Sequence, residues 1–182
     1  MTAVAPERRF LVSPRIRKLL LALHLTCSVG WLGAVVAYIA LDLTVATGRE
    51  PGAVRAAWIG MGMITFAVIV PFAVTSVVTG IVISLGTKWG LFRHWWVLIS
   101  LVMTILALVV LLVETRVIAH GAGIASDSDA PAATILELPT TLPHSIGGLI
   151  VLAVVQVLNV YKPQGLTPYG WRKQQAERGS LQ

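Results

Sequence analysis

Charge is scarce in this sequence. Of 182 residues only 12% are Asp, Glu, Lys or Arg, while 56% are hydrophobic. A soluble domain keeps about a quarter of its residues charged, so an ordinary water-soluble fold of this size is excluded. Cysteine is almost missing as well. The single Cys27 rules out a disulfide framework and any CxxC redox or metal motif. There is no Walker or dinucleotide-binding glycine pattern, no GxSxG and no HExxH. Nor is there a run of intramembrane carboxylates of the kind that an ion-coupled transporter shows. No catalytic residue is named on this basis.

The hydrophobic residues are gathered into long runs. About 20 apolar residues in a helix cross a hydrocarbon core of about 30 Å, and four stretches are long enough: 19–43, 56–87, 94–118 and 138–161. Backbone groups in hydrocarbon must be satisfied within their own helix, so the expected fold is all-α, a four-transmembrane-helix bundle. The bundle domain covers 19–163, between a basic N-terminal segment 1–18 and a basic tail 164–182. The first run is too long for the core of a signal peptide and reads as a retained helix. Pro71 predicts a kink in the second helix. Pro163 predicts the end of the fourth.

The formal charge of +6 raises the question of nucleic acid, but the cations sit between apolar runs and at the chain ends, which argues against it. With both termini inside, Arg8, Arg9, Arg15, Arg17, Lys18, Lys88, Arg93, Lys162, Arg172, Lys173 and Arg178 are cytoplasmic. Only Arg49, Arg55 and Arg116 fall outside, 11 against 3 of the 14 Lys and Arg. That bias orients the chain by the positive-inside rule. Trp58, Trp89, Trp95, Trp96 and Trp171 fall near helix ends and read as headgroup anchors. The segment 120–142, rich in Gly, Ala, Pro and acid, reads as a mobile outer loop whose ILEL portion rests on the membrane.

The first helix carries a polar stripe. At 100° per residue His24, Ser28, Trp31, Tyr38 and Asp42 fall within about 40° of one direction. Polar groups in hydrocarbon face a protein interior, a cofactor or water, so this face points into the bundle. Gly30 and Gly33 let a neighbouring helix or a flat ligand come close. Thr65, Ser76 and Thr79 of the second helix share a face and are expected to meet the stripe. Gln156 and Asn159 in the fourth helix read as interhelical hydrogen-bonding groups. An imidazole at this depth is either a ligand or proton relay, or a neutral ring hydrogen-bonded to a neighbour.

The remaining histidines sit at helix ends: His94 opens the third helix, His120 closes it and His144 opens the fourth. Imidazole ligates haem iron, and facing helices of a bundle supply axial ligands. His24 therefore pairs in depth with His94, offset by ~7 Å along the axis, and a single axial His24 is the other option. The outer couple, His120 with His144, suggests a copper or zinc site with Asp127, Asp129 or Glu114, against ordinary interfacial roles. Glu114 itself is expected to pair with Arg116 or Arg55.

The stretch LALHLTCSVGWLGAVVAYIAL, with His24 followed by Trp31 and Gly33, resembles the first helix of the CopD-like and HemJ-like group of bacterial four-helix membrane proteins. GTKWGLFRHWWVLISLVMTILA and NVYKPQGLTPYG look closer to an uncharacterised actinobacterial-type member of that group. The resemblance implies a bacterial cytoplasmic membrane location and a haem b held by His24, in a pocket lined by Ser28, Trp31, Tyr38 and His94. It also implies an electron-transfer role, or redox chemistry on a porphyrin or quinone with a membrane redox partner. A homo-oligomer is compatible with it. The alternative is a non-redox protein, either an outer-face metal binder or an accessory subunit of a larger complex.

Overall fold

The computed structural model describes residues 13–86 and 90–179; Arg8, Arg9, Lys88 and Trp89 lie outside them. Chain order is α1 (Pro14–Thr47), α2 (Pro51–Ile64), a π-helical turn (Thr65–Ile69), α3 (Val70–Gly86), α4 (Trp95–Ser126), α5 (Ala132–Leu136), α6 (Leu142–Tyr161) and α7 (Pro168–Gly179). Four of the described helices are long and apolar enough to cross a membrane: α1, the continuous α2–α3 rod Pro51–Gly86, α4 and α6. The protein is therefore an all-α, four-span membrane protein in contact with the lipid bilayer. Each span packs on two neighbours in a ring, α1 on α2–α3, that rod on α4, α4 on α6, and α6 back on α1. An even number of crossings leaves both chain ends at one end of the bundle, opposite the 48–50 and 127–141 connections.

The ends of the helices follow their capping residues. Ser13 accepts from the Ile16 amide, and Pro14 supplies a first helical residue that needs no partner for its nitrogen. The first helix thus starts at Pro14 rather than 19, and Arg15, Arg17 and Lys18 ride on its first turn. Glu50 caps α2, its carboxylate 2.9 Å from the Gly52 amide and 2.5 Å from that of Ala53. Lys162 closes α6 in the left-handed conformation (φ 47°), its amide on the Leu158 carbonyl, just before Pro163. The kink expected at Pro71 is absorbed one turn earlier. Val70 reaches back five residues to the Thr65 carbonyl, widening the helix into its π turn ahead of the proline ring.

Exposed surface on the spans is apolar: Leu19, Val29 and Leu43 on α1, Leu106 and Val113 on α4, Ile150 and Val157 on α6. Close approach of the helices relies on glycine. The Cβ that Gly30 lacks would stand 2.6 Å from Cδ2 of the Phe72 ring, that of Gly60 3.1 Å from Leu41, and that of Gly62 2.8 Å from Ala122. Small residues let backbones approach where no hydrophobic drive separates helix from lipid.

Three expectations change here. Trp58 is no headgroup anchor: it is fully buried, stacked against Gly121 of α4, and Trp96 is buried too. The third helix does not stop at 118 but runs to Ser126, since Gly121 is held in the helix by that indole. The loop 120–142 is accordingly mostly ordered structure. Ile135 of α5 is fully buried and α5 packs on α2, while Arg55 donates to the carbonyls of Ala125, Asp127 and Ala130. The tail is also folded. His94 and Leu166 form a β-bridge, Thr167 donates its amide to the Arg93 carbonyl at 3.0 Å, and Arg93 pairs with Glu177 of α7 at 3.2 Å.

The Trp58–Gly121 contact gives a direct test. A Cβ at 121 would stand 2.5 Å from Cε3 of the indole, and with Trp58 enclosed the ring has no room to yield. Gly121→Ala should lower stability by about 1–3 kcal/mol, measured by unfolding in detergent. Gly123→Ala, with nothing within 4 Å, should leave it unchanged or slightly raised.

Candidate functional site

The polar stripe of α1 is divided among three assemblies. Nearest the chain ends, His24 Nδ1 lies 3.0 Å from the Ser76 carbonyl and 3.1 Å from Thr79 Oγ1. A carbonyl only accepts, and the Thr79 hydroxyl donates to Thr75 at 2.6 Å, so Nδ1 carries the proton. Nε2 is then the lone-pair nitrogen, and it has no hydrogen-bond partner among the described residues. The half-buried ring lies against Gly80, whose missing Cβ would be 3.1 Å from Cε1. One turn on, Ser28 donates to the His24 carbonyl and receives the Ser76 hydroxyl, both at 2.7 Å. Ser76 and Thr79 thus meet the stripe as expected.

Trp31 and Tyr38 belong to the second assembly, a cavity of about 480 Å³ bordered by α1, the π turn, α4 and α6 and open on one side. Val35, Ile69, Met103, Ala107, Leu111 and Leu152 supply most of its apolar wall. Its polar members are Tyr38, Thr65, Glu114, Thr141, His144 and Ser145. Glu114 stands 3.6 Å from His144 Nε2, so the expected pairing with Arg55 or Arg116 is replaced. Arg55 is committed to the loop carbonyls, and Arg116 is exposed on another face of α4.

Asp42 organises the third assembly. It is fully buried, close to the end of α1. Its carboxylate accepts from Thr140 Oγ1 (2.9 Å), the Thr141 amide (3.2 Å) and Thr141 Oγ1 (2.7 Å). These groups form the start of α6, where the helix leaves amides unsatisfied and favours an anion. Because Thr141 gives its proton to Asp42, the Tyr38 hydroxyl, 2.7 Å away, must donate to Thr141. Tyr38, Thr141 and Asp42 form one directed chain, leaving phenol lone pairs on the cavity side.

The other named residues are dispersed. His94 sits in the bridge to Leu166, on a span diagonal to that of His24. His120 and His144 are both exposed, His144 with its Nε2 beside Glu114. Among the described residues no group of three or more His, Cys, Asp or Glu converges as a metal site. Gln156 and Asn159 are half-buried and make no interhelical hydrogen bond with another described residue. Thr65 and Asp42 face inward as the sequence implies, but the cavity beside Thr65 and the Thr140–Thr141 partners of Asp42 were not read from it. A hydroxyl at a Pro-linked π turn and an acid at the end of an apolar run were the available signals.

These features define a four-span helical membrane protein with a polar histidine site and a separate internal cavity. No family model matches the chain, and neither a curated protein nor a solved structure matches it.

Asp42 holds the start of α6 by its carboxylate, so removing it strands three donors. Asp42→Ala should cost about 2–4 kcal/mol and speed exchange of the Thr141 amide. Asp42→Asn, which keeps one acceptor oxygen, should cost less. Unchanged exchange at Thr141 in the alanine variant would show that the carboxylate does not anchor α6.

Proposed function

We propose that this chain is a small haem-b-binding protein of the bacterial cytoplasmic membrane, with His24 as axial ligand and electron transfer as its role. The observation that supports this reading is the state of His24. Its Nδ1–H is held by a backbone carbonyl and a threonine hydroxyl, the arrangement that fixes the tautomer and basicity of ligating histidines and turns Nε2 to the iron. Gly80 lets the ring pack close against α3, and the partial exposure of His24 leaves an approach for a planar group. Ser76 and Thr79 would position the ligand, while Ser28 fixes Ser76 in turn.

Bound haem would supply a one-electron couple. The chain's own part is to present one neutral imidazole and keep water away with apolar side chains. His94 is engaged at the tail bridge, so the reading uses a single protein ligand. The distribution of Lys and Arg supports both termini on the cytoplasmic side. For the outer copper or zinc site only Glu114 and His144 stand together, and no third His, Cys, Asp or Glu joins them among the described residues.

The test is a visible spectrum of the detergent-purified protein, expressed with ample haem supply, before and after dithionite. A Soret band with sharpened reduced bands is expected. His24→Ala should abolish it, and His94→Ala, His120→Ala and His144→Ala should retain it. Thr79→Val should weaken haem retention roughly tenfold or more, as loss of an orienting partner does. A colourless wild-type protein would sink the reading.

A further inference from the structure

The cavity between the four spans is separate from the His24 site, and its polar groups are unusual in where they point. Six Ser and Thr hydroxyls within these helices turn back on the carbonyl four residues earlier: Ser28 on His24, Thr44 on Ala40, Thr47 on Leu43, Thr79 on Thr75, Thr104 on Ser100 and Ser126 on Ala122. Thr65 does not. Its hydroxyl is fully buried and has no hydrogen-bond partner among the described residues, it lies on the π turn, and Thr65 is part of the cavity wall. Ser100 shares the lack of a partner but is not part of the cavity wall. A buried hydroxyl without a partner destabilises the fold, and π turns are frequent at functional sites.

We infer that this cavity is a binding site for an isoprenoid quinone, a neutral lipid-borne ring with a carbonyl on each of two opposite edges. The Thr65 hydroxyl donates to one carbonyl, and the Glu114–His144 pair meets the other edge. Four features carry the assignment. The volume of about 480 Å³ lies within the range of about 300–1,000 Å³ typical of small-molecule sites. Polar groups stand on opposed walls, since Thr65 belongs to the second span and His144 to the fourth, which face each other diagonally across the ring of helices. The space between them is apolar and bordered by the aromatic side chains of Trp31 and Tyr38. Access is from the bilayer: Leu106 and Val110 line the cavity and are 59% and 46% exposed. An acyl chain would fill the volume but leave Thr65 unpartnered.

The site does not depend on the haem reading. Its test is thermal unfolding of the purified full chain titrated with decylubiquinone, with lauric acid and dodecane as tails without a quinone ring. Saturable stabilisation by decylubiquinone, absent with the other two, is expected. Thr65→Val keeps the shape and removes the hydroxyl, so it should fold with equal or greater stability and bind about tenfold more weakly. No saturable effect of decylubiquinone, equal stabilisation by lauric acid or dodecane, or an unaltered affinity in Thr65→Val would each overturn the assignment. Titrating His24→Ala as well separates the two sites: quinone binding there should persist whether or not the wild type carries haem.

Discussion

Hydrocarbon offers no partner to a polar group, and the packing of this bundle is largely the record of where each polar group found one. Asp42 shows the constraint at its strongest. A carboxylate with no exposure must have donors brought to it, and the start of α6 is what comes, through Thr140 and Thr141. The same rule places Arg55 on the carbonyls that end α4, and His24 on the Ser76 carbonyl. Apolar contacts then complete what these polar links align. Because lipid is as apolar as leucine, tight fit at glycine, rather than exclusion from water, holds the helix faces together.

The two ends of the polar stripe have different chemistry for a physical reason. At His24 every neighbouring hydroxyl has somewhere to send its proton, and the chain of donors ends by exposing one nitrogen lone pair. At Tyr38 the chain runs the other way, through Thr141 into a buried acid. One end therefore presents a base and the other is closed on itself, with Thr65 the odd group between them. A reading that assigned a single cofactor to the entire stripe would miss this division.

Much of the architecture was legible because membrane spans announce themselves by length and apolarity, and because polar residues inside an apolar run mark the inner face. His24, Ser28, Ser76 and Thr79 were found that way. Trp58 was misjudged because an indole near a helix end reads as an interfacial anchor, and its true partner, Gly121, is far away in sequence. The run from 119 to 126 reads as loop because Gly121 and Gly123 weaken its helix signal, until the packing of Gly121 against Trp58 is known. The cavity could not be read at all, since a void depends on four helices at once and leaves no mark on any one of them.

The π turn ahead of Pro71 also has a consequence for how this rod could change over time. Each residue added to a helix advances everything beyond it by about 100°, so the extra residue in the turn sets a phase between two halves of one span. Trp58 and Gly62, before it, meet α4, whereas Phe72, Ser76 and Gly80, after it, meet α1. Deleting any one residue from 65–69 would rotate the second half against the first and carry Ser76 and Thr79 away from His24, though no side chain around the histidine had been altered. The turn works as a vernier: it lets the cavity and the histidine site share a helix while each keeps its own register.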